Sequence, residues 1–145
     1  MHNQIKYAGF WIRLAASTID SLLILAIITP LLYRIYGADY FTSTQLIKGP
    51  ADLLITYGLP IAAVILFWRY QSATPGKMAL KLKIVDADSL QPLTTQQCLI
   101  RYLGYFVSTI PFCLGFLWIA FDKRKQGWHD KLAHTVVIRE KGSLK

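Results

Sequence analysis

The sequence predicts an all-α membrane protein: a small helical bundle of three apolar blocks, the third bent or folded into a re-entrant hairpin, with a short cytoplasmic β-ribbon. Three observations predict it. Hydrophobic residues make up 54% of the 145, with mean hydropathy +0.37, and they gather into blocks rather than amphipathic stripes. The blocks lie at about residues 7–33, 53–69 and 98–121, with a polar loop at 70–97 and a basic tail at 122–145. The formal net charge of +8 comes from Lys and Arg that crowd the flanks of those blocks, where membrane topology and anionic headgroups account for them. A lipid bilayer is therefore the expected partner. Nucleic acid is not, because no basic stretch interleaved with aromatics is present. At this length the chain reads as one domain.

The tail before the first block is short, and His2 is expected in solvent. From Tyr7 to Tyr33 the chain is long enough to cross, since about 20 apolar residues span the hydrocarbon core. No A-x-A-like cleavage site follows, so this segment is expected to stay in the mature protein. It carries Arg13 and Asp20, and a charge at the bilayer centre costs about 2.5–3.5 kcal/mol, so such residues are rarely idle. Seven positions apart, they share nearly one helix face. Ala16, Ser17 and Ile24 fall on the same side, and the small residues from Ala15 to Thr18 allow another element to approach closely.

Tyr33, Tyr36, Tyr40 and Phe41 read as an interfacial aromatic belt around a polar loop. The second block is free of charge but short, and Gly58 and Pro60 interrupt it. A bend at Pro60 facing protein or a wet cavity is expected, with Trp68 and Tyr70 at the interface. In the following loop, LKLKIVD alternates apolar and charged residues from Leu80, the period of a half-buried strand. The β-branched run Thr135–Ile138 should pair with it. ATPGK, Ala73 to Lys77, lacks the earlier glycine and following Ser/Thr of a phosphate loop and reads as a turn. Thr94 to Gln97 has capping-box spacing and should start a helix. The third block holds Arg101 near its start, is broken at Pro111 and Gly115, and ends at Asp122. Cys98 and Cys113 read as small buried hydrophobes.

Topology follows from the basic residues. With three simple crossings, seven Lys and Arg would face one side and nine the other, which is no preference. If the third block turns back on itself, 14 of the 16 share one side with both termini, leaving Arg34 and Lys48 opposite. That arrangement also places Asp122 near Arg13, and the two strands together.

Arg13 and Asp20 in the first helix and Asp122 closing the third resemble the RDD family, named for one arginine and two aspartates so placed. TPGKMALKLKIVD, LIRYL with Arg101, and DKRKQGWHDKLAHTVVI support the resemblance, which covers nearly the whole chain. His134 stands where a glycine is more usual. The resemblance implies a multi-pass protein of the bacterial inner membrane. It also implies transport as one function proposed for the family, including sodium/proton exchange for some members.

Arg13 and Asp20 are separated by about 10.5 Å of helix rise, and side chains lean toward the N-terminus, so they do not pair with each other. Arg13 is expected to pair with Asp122, and Asp20 with Arg101. Two readings of this set remain open. It is a buried ionic network that fixes helix packing, or Asp20 alternately holds a proton and a monovalent cation, with Thr56 and Tyr57 supplying oxygens. His129 and Asp130 would cap a helix end or join a cytoplasmic ionic cluster. No metal site, cofactor or catalytic set is expected, so the chain is not read as an enzyme. The function is accordingly a small ion-coupled or solute transporter, expected as a homo-oligomer, or a scaffold binding helices of another membrane protein.

Overall fold

The computed structural model describes residues 5–140, so His2 lies outside the described residues. Helix α1, Phe10–Tyr36, runs unbroken through Pro30 and stops at Gly37, whose φ of +74° ends the helix in a conformation open to glycine. After the short turn α2, Asp39–Thr42, the chain enters a second long helix. This comprises α3, Pro50–Leu53, a π-helical turn at Leu54–Gly58, and α4, Leu59–Gln71. Together they make 22 residues, enough to span. The second block is thus longer than its apolar core, because Pro50 at the first helical position and Asp52 belong to it. Pro60 has no N–H for the Thr56 carbonyl, and the π turn before it absorbs the mismatch without ending the helix.

The third block is two helices, α6 at Thr95–Thr109 and α7 at Leu114–Leu117, the latter continued by a 3₁₀ turn to Ala120. Their axes are bent by 107°. The turn between them holds Phe112 and Cys113 at positive φ. Cys98 is buried, but Cys113 is exposed on this turn rather than in the core. The Thr94–Gln97 capping box is fully formed, with Gln97 N–H donating to Thr94 Oγ1 (3.2 Å) and Thr94 N–H to Gln97 Oε1 (3.0 Å).

Strands β1, Leu82–Asp86, and β2, Thr135–Arg139, pair antiparallel with Ile84 opposite Val137 and Val85 opposite Val136. Leu80 precedes the strand, at the end of a short helix described below. The ribbon is buried on both faces. Leu82, Ile84 and Val137 join Ala16, Trp68 and Cys98 in the main core, while Val85 and Val136 form a smaller cluster with Ala87. The chain before α1 extends the ribbon, as Ala8 N–H donates to the Val137 carbonyl (2.9 Å).

The packed core therefore sits at the ribbon end. Along the spans most large apolar side chains stay exposed, Leu22, Leu25 and Leu54 among them. Such a surface suits lipid rather than water. Trp68, expected at an interface, is completely buried in the core.

Candidate functional site

Helix α8, Trp128–Ala133, begins at Gly127 and packs against α6. The approach is close enough that a methyl group at Gly104 would come within 2.8 Å of His129 Cα. This places Asp130, fully buried, between two guanidinium groups. Arg13 Nη1 donates to Asp130 Oδ2 (2.6 Å), and Arg101 Nη1 donates to Oδ1. Gly127 N–H adds a further bond to Oδ2 (2.9 Å). Arg13 also donates to the Ala8 and Lys125 carbonyls at 3.1 and 2.5 Å, and Arg101 to Thr135 Oγ1 at 2.8 Å. The Trp68 ring lies 5.3 Å from Arg101 Cζ, a cation–π contact.

Arg13 thus finds Asp130, not Asp122. The expected pairing placed the right arginine on the right side but chose the wrong carboxylate eight residues upstream. Asp122 instead meets Lys131 (2.9 Å) and accepts from the Arg124 and Gln126 amides, tying down the turn that leads to α8. Burial pushes the Asp122 carboxyl up, but Lys131 and those amides outweigh it and hold it below the usual range. At Asp130 burial is opposed by Arg101 and Arg13, which keep the group well below the usual carboxylate range. Next to it, burial drives His129 down to about 3 against the pull of Asp130, so the ring is neutral. Its Nδ1 lies 3.2 Å from Ser108 Oγ, and its ring packs on Tyr105 and Phe116.

Asp20 is held differently. The ATPGK segment is not a plain turn: Pro75–Ala79 forms a five-residue helix, α5, wedged against α1. A Cβ at Gly76 would sit 2.1 Å from the Ala16 carbonyl oxygen, so only glycine permits this contact. It brings Thr74 Oγ1 to Asp20 Oδ2 (2.5 Å) and Gly76 N–H to Oδ1 (2.8 Å). Both carboxylate oxygens accept from neutral donors, not from Arg101, whose guanidinium is taken by Asp130. By helix rise Asp20 lies about 15 Å along α1 from Phe10.

Asp20 lines a cavity of about 520 Å³ between α1 and α4, whose polar end also includes Arg13, Lys77, Arg101 and His129. Its remainder is apolar, with Ile24, Ile27, Ala63, Val64 and Phe67 along the walls. Leu14, Leu23 and Ile27 line it while remaining exposed, so it opens sideways between the spans. Lys77 is 5% exposed. Burial pulls its ammonium below the usual lysine range, against Tyr105 and Asp20, with Arg101 and Arg13 adding to the downward pull. Thr74, Gly76 and Lys77 are the functional residues that sequence reasoning missed. A Thr-Pro-Gly run is the signal that could have found them, since Pro at a first helical position after Thr marks a helix start.

A separate centre closes the opposite end. Asp52, also buried, accepts from Tyr40 Oη (2.5 Å), Lys48 N–H (2.8 Å) and Thr56 Oγ1 (2.8 Å). Tyr36 Oη accepts from Asp52 N–H (3.0 Å). Two of the expected belt tyrosines thus hold this turn, and Thr56 serves Asp52 instead of supplying an oxygen near Asp20.

Apolar spans, a bent third segment and charges enclosed at its packed end define a multi-pass helical membrane protein with an internal ionic centre. The model of the RDD family matches residues 7–134, and the chain belongs to that family. It is 44% identical over 75 residues to an uncharacterized protein of Rickettsia prowazekii, covering 52% of this chain and 41% of that protein. It is 30% identical over 137 residues to the uncharacterized membrane protein YteJ of Bacillus subtilis, covering 93% of this chain and 82% of that protein. A third relative, the proline-rich antigen of Mycobacterium leprae, is 29% identical over 71% of this chain and 43% of its own length. The chain thus spans less than half of two of these three relatives. No solved structure matches.

Proposed function

We propose that the protein is a non-enzymatic, ion-coupled transporter of small solutes in the bacterial cytoplasmic membrane. The observation that carries this reading is Asp20: a carboxylate within the first apolar span, on the wall of a laterally open cavity, with neutral hydrogen-bond donors on both oxygens. A carboxylate so placed can take up and release a proton or a monovalent cation without first breaking an internal ion pair. The scaffold reading needs the Arg/Asp face to be free for a partner helix. Arg13, Arg101 and Asp130 are instead buried and occupied by one another.

Both termini are assigned to the cytoplasm, because that orientation keeps 14 of the 16 basic residues inside. Two full spans and one bent segment enclose a cavity but little pathway, which favours a homo-oligomer as the working unit. Reconstitution into proteoliposomes tests the proposal. Wild-type protein should give pH-dependent cation flux, and Asp20→Asn should insert and assemble normally yet lose it. Absence of flux from the wild type across a panel of cations and small solutes would overturn the reading.

A further inference from the structure

We propose that the cavity between α1 and α4 is a binding site for a single-chain anionic amphiphile, a carboxylate or phosphate head on one alkyl chain, with Lys77 as its headgroup cation. The inference names a solute class for the transporter reading, although the site itself is argued from its own chemistry.

The cavity has two unlike ends. Its volume of about 520 Å³ falls within the roughly 300–1,000 Å³ of small-molecule sites. The walls contributed by Ile24, Ile27, Ala63, Val64 and Phe67 offer nothing to a polar solute and suit an alkyl chain. Sideways opening toward the exposed faces of Leu14, Leu23 and Ile27 gives such a chain an entry from lipid.

The polar end favours a negative head. Arg13, Lys77 and Arg101 line it with Asp20, and even with Asp130 counted behind the two arginines one positive charge is left over, His129 being neutral. Both arginines are spent on Asp130, and both oxygens of Asp20 are engaged by Thr74 and Gly76. The Lys77 ammonium has neither a hydrogen bond nor an ion pair among the described residues, although the residue is only 5% exposed. A buried ammonium without a partner is costly, and an incoming anionic oxygen removes that cost. The surplus of donors extends into the wall, where Trp68 Nε1 and Arg101 Nε are buried N–H groups with no acceptor among the described residues. A cationic head would meet Lys77 in the same polar end, and a neutral one would leave Lys77 unpaired.

The test uses full-length protein in nanodiscs of zwitterionic lipid, titrated with bromine-labelled dodecanoate, dodecyl phosphate, dodecanol and dodecyltrimethylammonium. Quenching of Trp68 in the cavity wall reads binding, with Trp68→Phe as the blank. The two anions should bind about tenfold or more tightly than the alcohol, a difference typical of a desolvated charge-assisted bond. Lys77→Met should reduce that preference to about twofold or less, and Ala63→Phe, which fills the tail region alone, should weaken all of the chains. Inorganic phosphate and acetate, added as competitors, separate the head from the tail and should displace the labelled chains little. Equal binding of alcohol and anions, or an anion preference unchanged in Lys77→Met, overturns the proposal. Should Lys77→Met not fold, loss of binding in Ala63→Phe still decides whether the chain sits in this cavity. Amphiphile binding without any Asp20-dependent flux would sink the transporter reading alone, and flux without amphiphile binding would sink only this one.

Discussion

Asp130 and Asp20 are both aspartates facing α1 or lying on it, yet their surroundings differ in kind. Asp130 is enclosed by two guanidinium groups, a backbone amide and the aromatic packing of α6 and α8. Its charge is cancelled where it stands, and its side chain is fully buried. Asp20 is only partly buried, is held by a hydroxyl and an amide, and borders open space. A carboxylate bonded to fixed cations is a structural brace, because removing its proton-free form strands two buried charges. A carboxylate bonded to neutral donors keeps its charge available for exchange. The family's arginine thus belongs to a closed centre around Asp130, its first aspartate borders the cavity, and its second, Asp122, ties down the turn before α8.

The sharpest way to break this division is to neutralise each aspartate. Asp130→Ala should cost about 3–5 kcal/mol, as expected when one partner of a buried ion pair is removed, and should leave little monodisperse protein after detergent extraction. Asp20→Asn keeps the shape of its site, with its amide oxygen accepting from Gly76 N–H and its NH2 donating to a reversed Thr74 hydroxyl, and should cost no more than about 1 kcal/mol. Thermal melting of the two variants in detergent compares them directly. Equal losses would mean that Asp20 is a brace as well.

How much of this was legible beforehand varies by region, for physical reasons. The spans, the capping box at Thr94 and the pairing of the β-branched run with LKLKIVD were readable, because period and composition encode them. The bend in the third block was readable from charge, since only a return to one side gathers the basic residues there. The Asp130 centre was half legible. Arg13 and Arg101 stand out in apolar surroundings, but Asp122 and Asp130 lie in one short polar tail. Which of them meets Arg13 depends on a turn through Lys125 at φ 53°, and no sequence period announces that turn. The wedge at Pro75–Ala79 was not read. Five residues carry no helical period, and the close approach of Gly76 to Ala16 exists only once α1 is in place. Asp52 was missed because it falls at the edge of an apolar block, where a charge looks like a boundary.

The closed centre also makes a prediction about acid. The His129 ring is depressed to about 3 in the folded protein, against about 6.5 for a free imidazole. Between those values the unfolded chain takes up a proton that the folded chain refuses. Stability should therefore fall as pH drops below about 6.5, by at most about 1.4 kcal/mol per unit. The contribution of Asp130, whose folded value is also depressed, is fully present above the usual carboxylate range and is lost only at lower pH. Melting temperatures between pH 7 and 5 thus isolate the histidine. His129→Gln should flatten that limb while the wild type declines. A flat wild-type profile would show that the ring is not held neutral.

The smallest effect concerns the junction between the two regions' supports, where α8 passes into β2. His134 takes up a left-handed conformation with φ 57° as the residue that ends α8. A glycine meets no Cβ penalty there, which is the physical sense of the glycine more usual at this position. Left-handed backbone costs a non-glycine residue roughly 1–2 kcal/mol. Glycine gives part of this back through its freer unfolded chain, and the exposed contact of His134 Nε2 with Asp88 (2.6 Å) would be lost. His134→Gly should therefore stabilise the protein by only about 0.5 kcal/mol, a shift of about 1–2 °C in the melting temperature. It should leave Asp20-dependent flux unchanged, because the substitution touches the packed end and not the cavity. A gain in stability accompanied by altered flux would show that the two centres are coupled through α8, and the division between brace and working carboxylate would have to be redrawn.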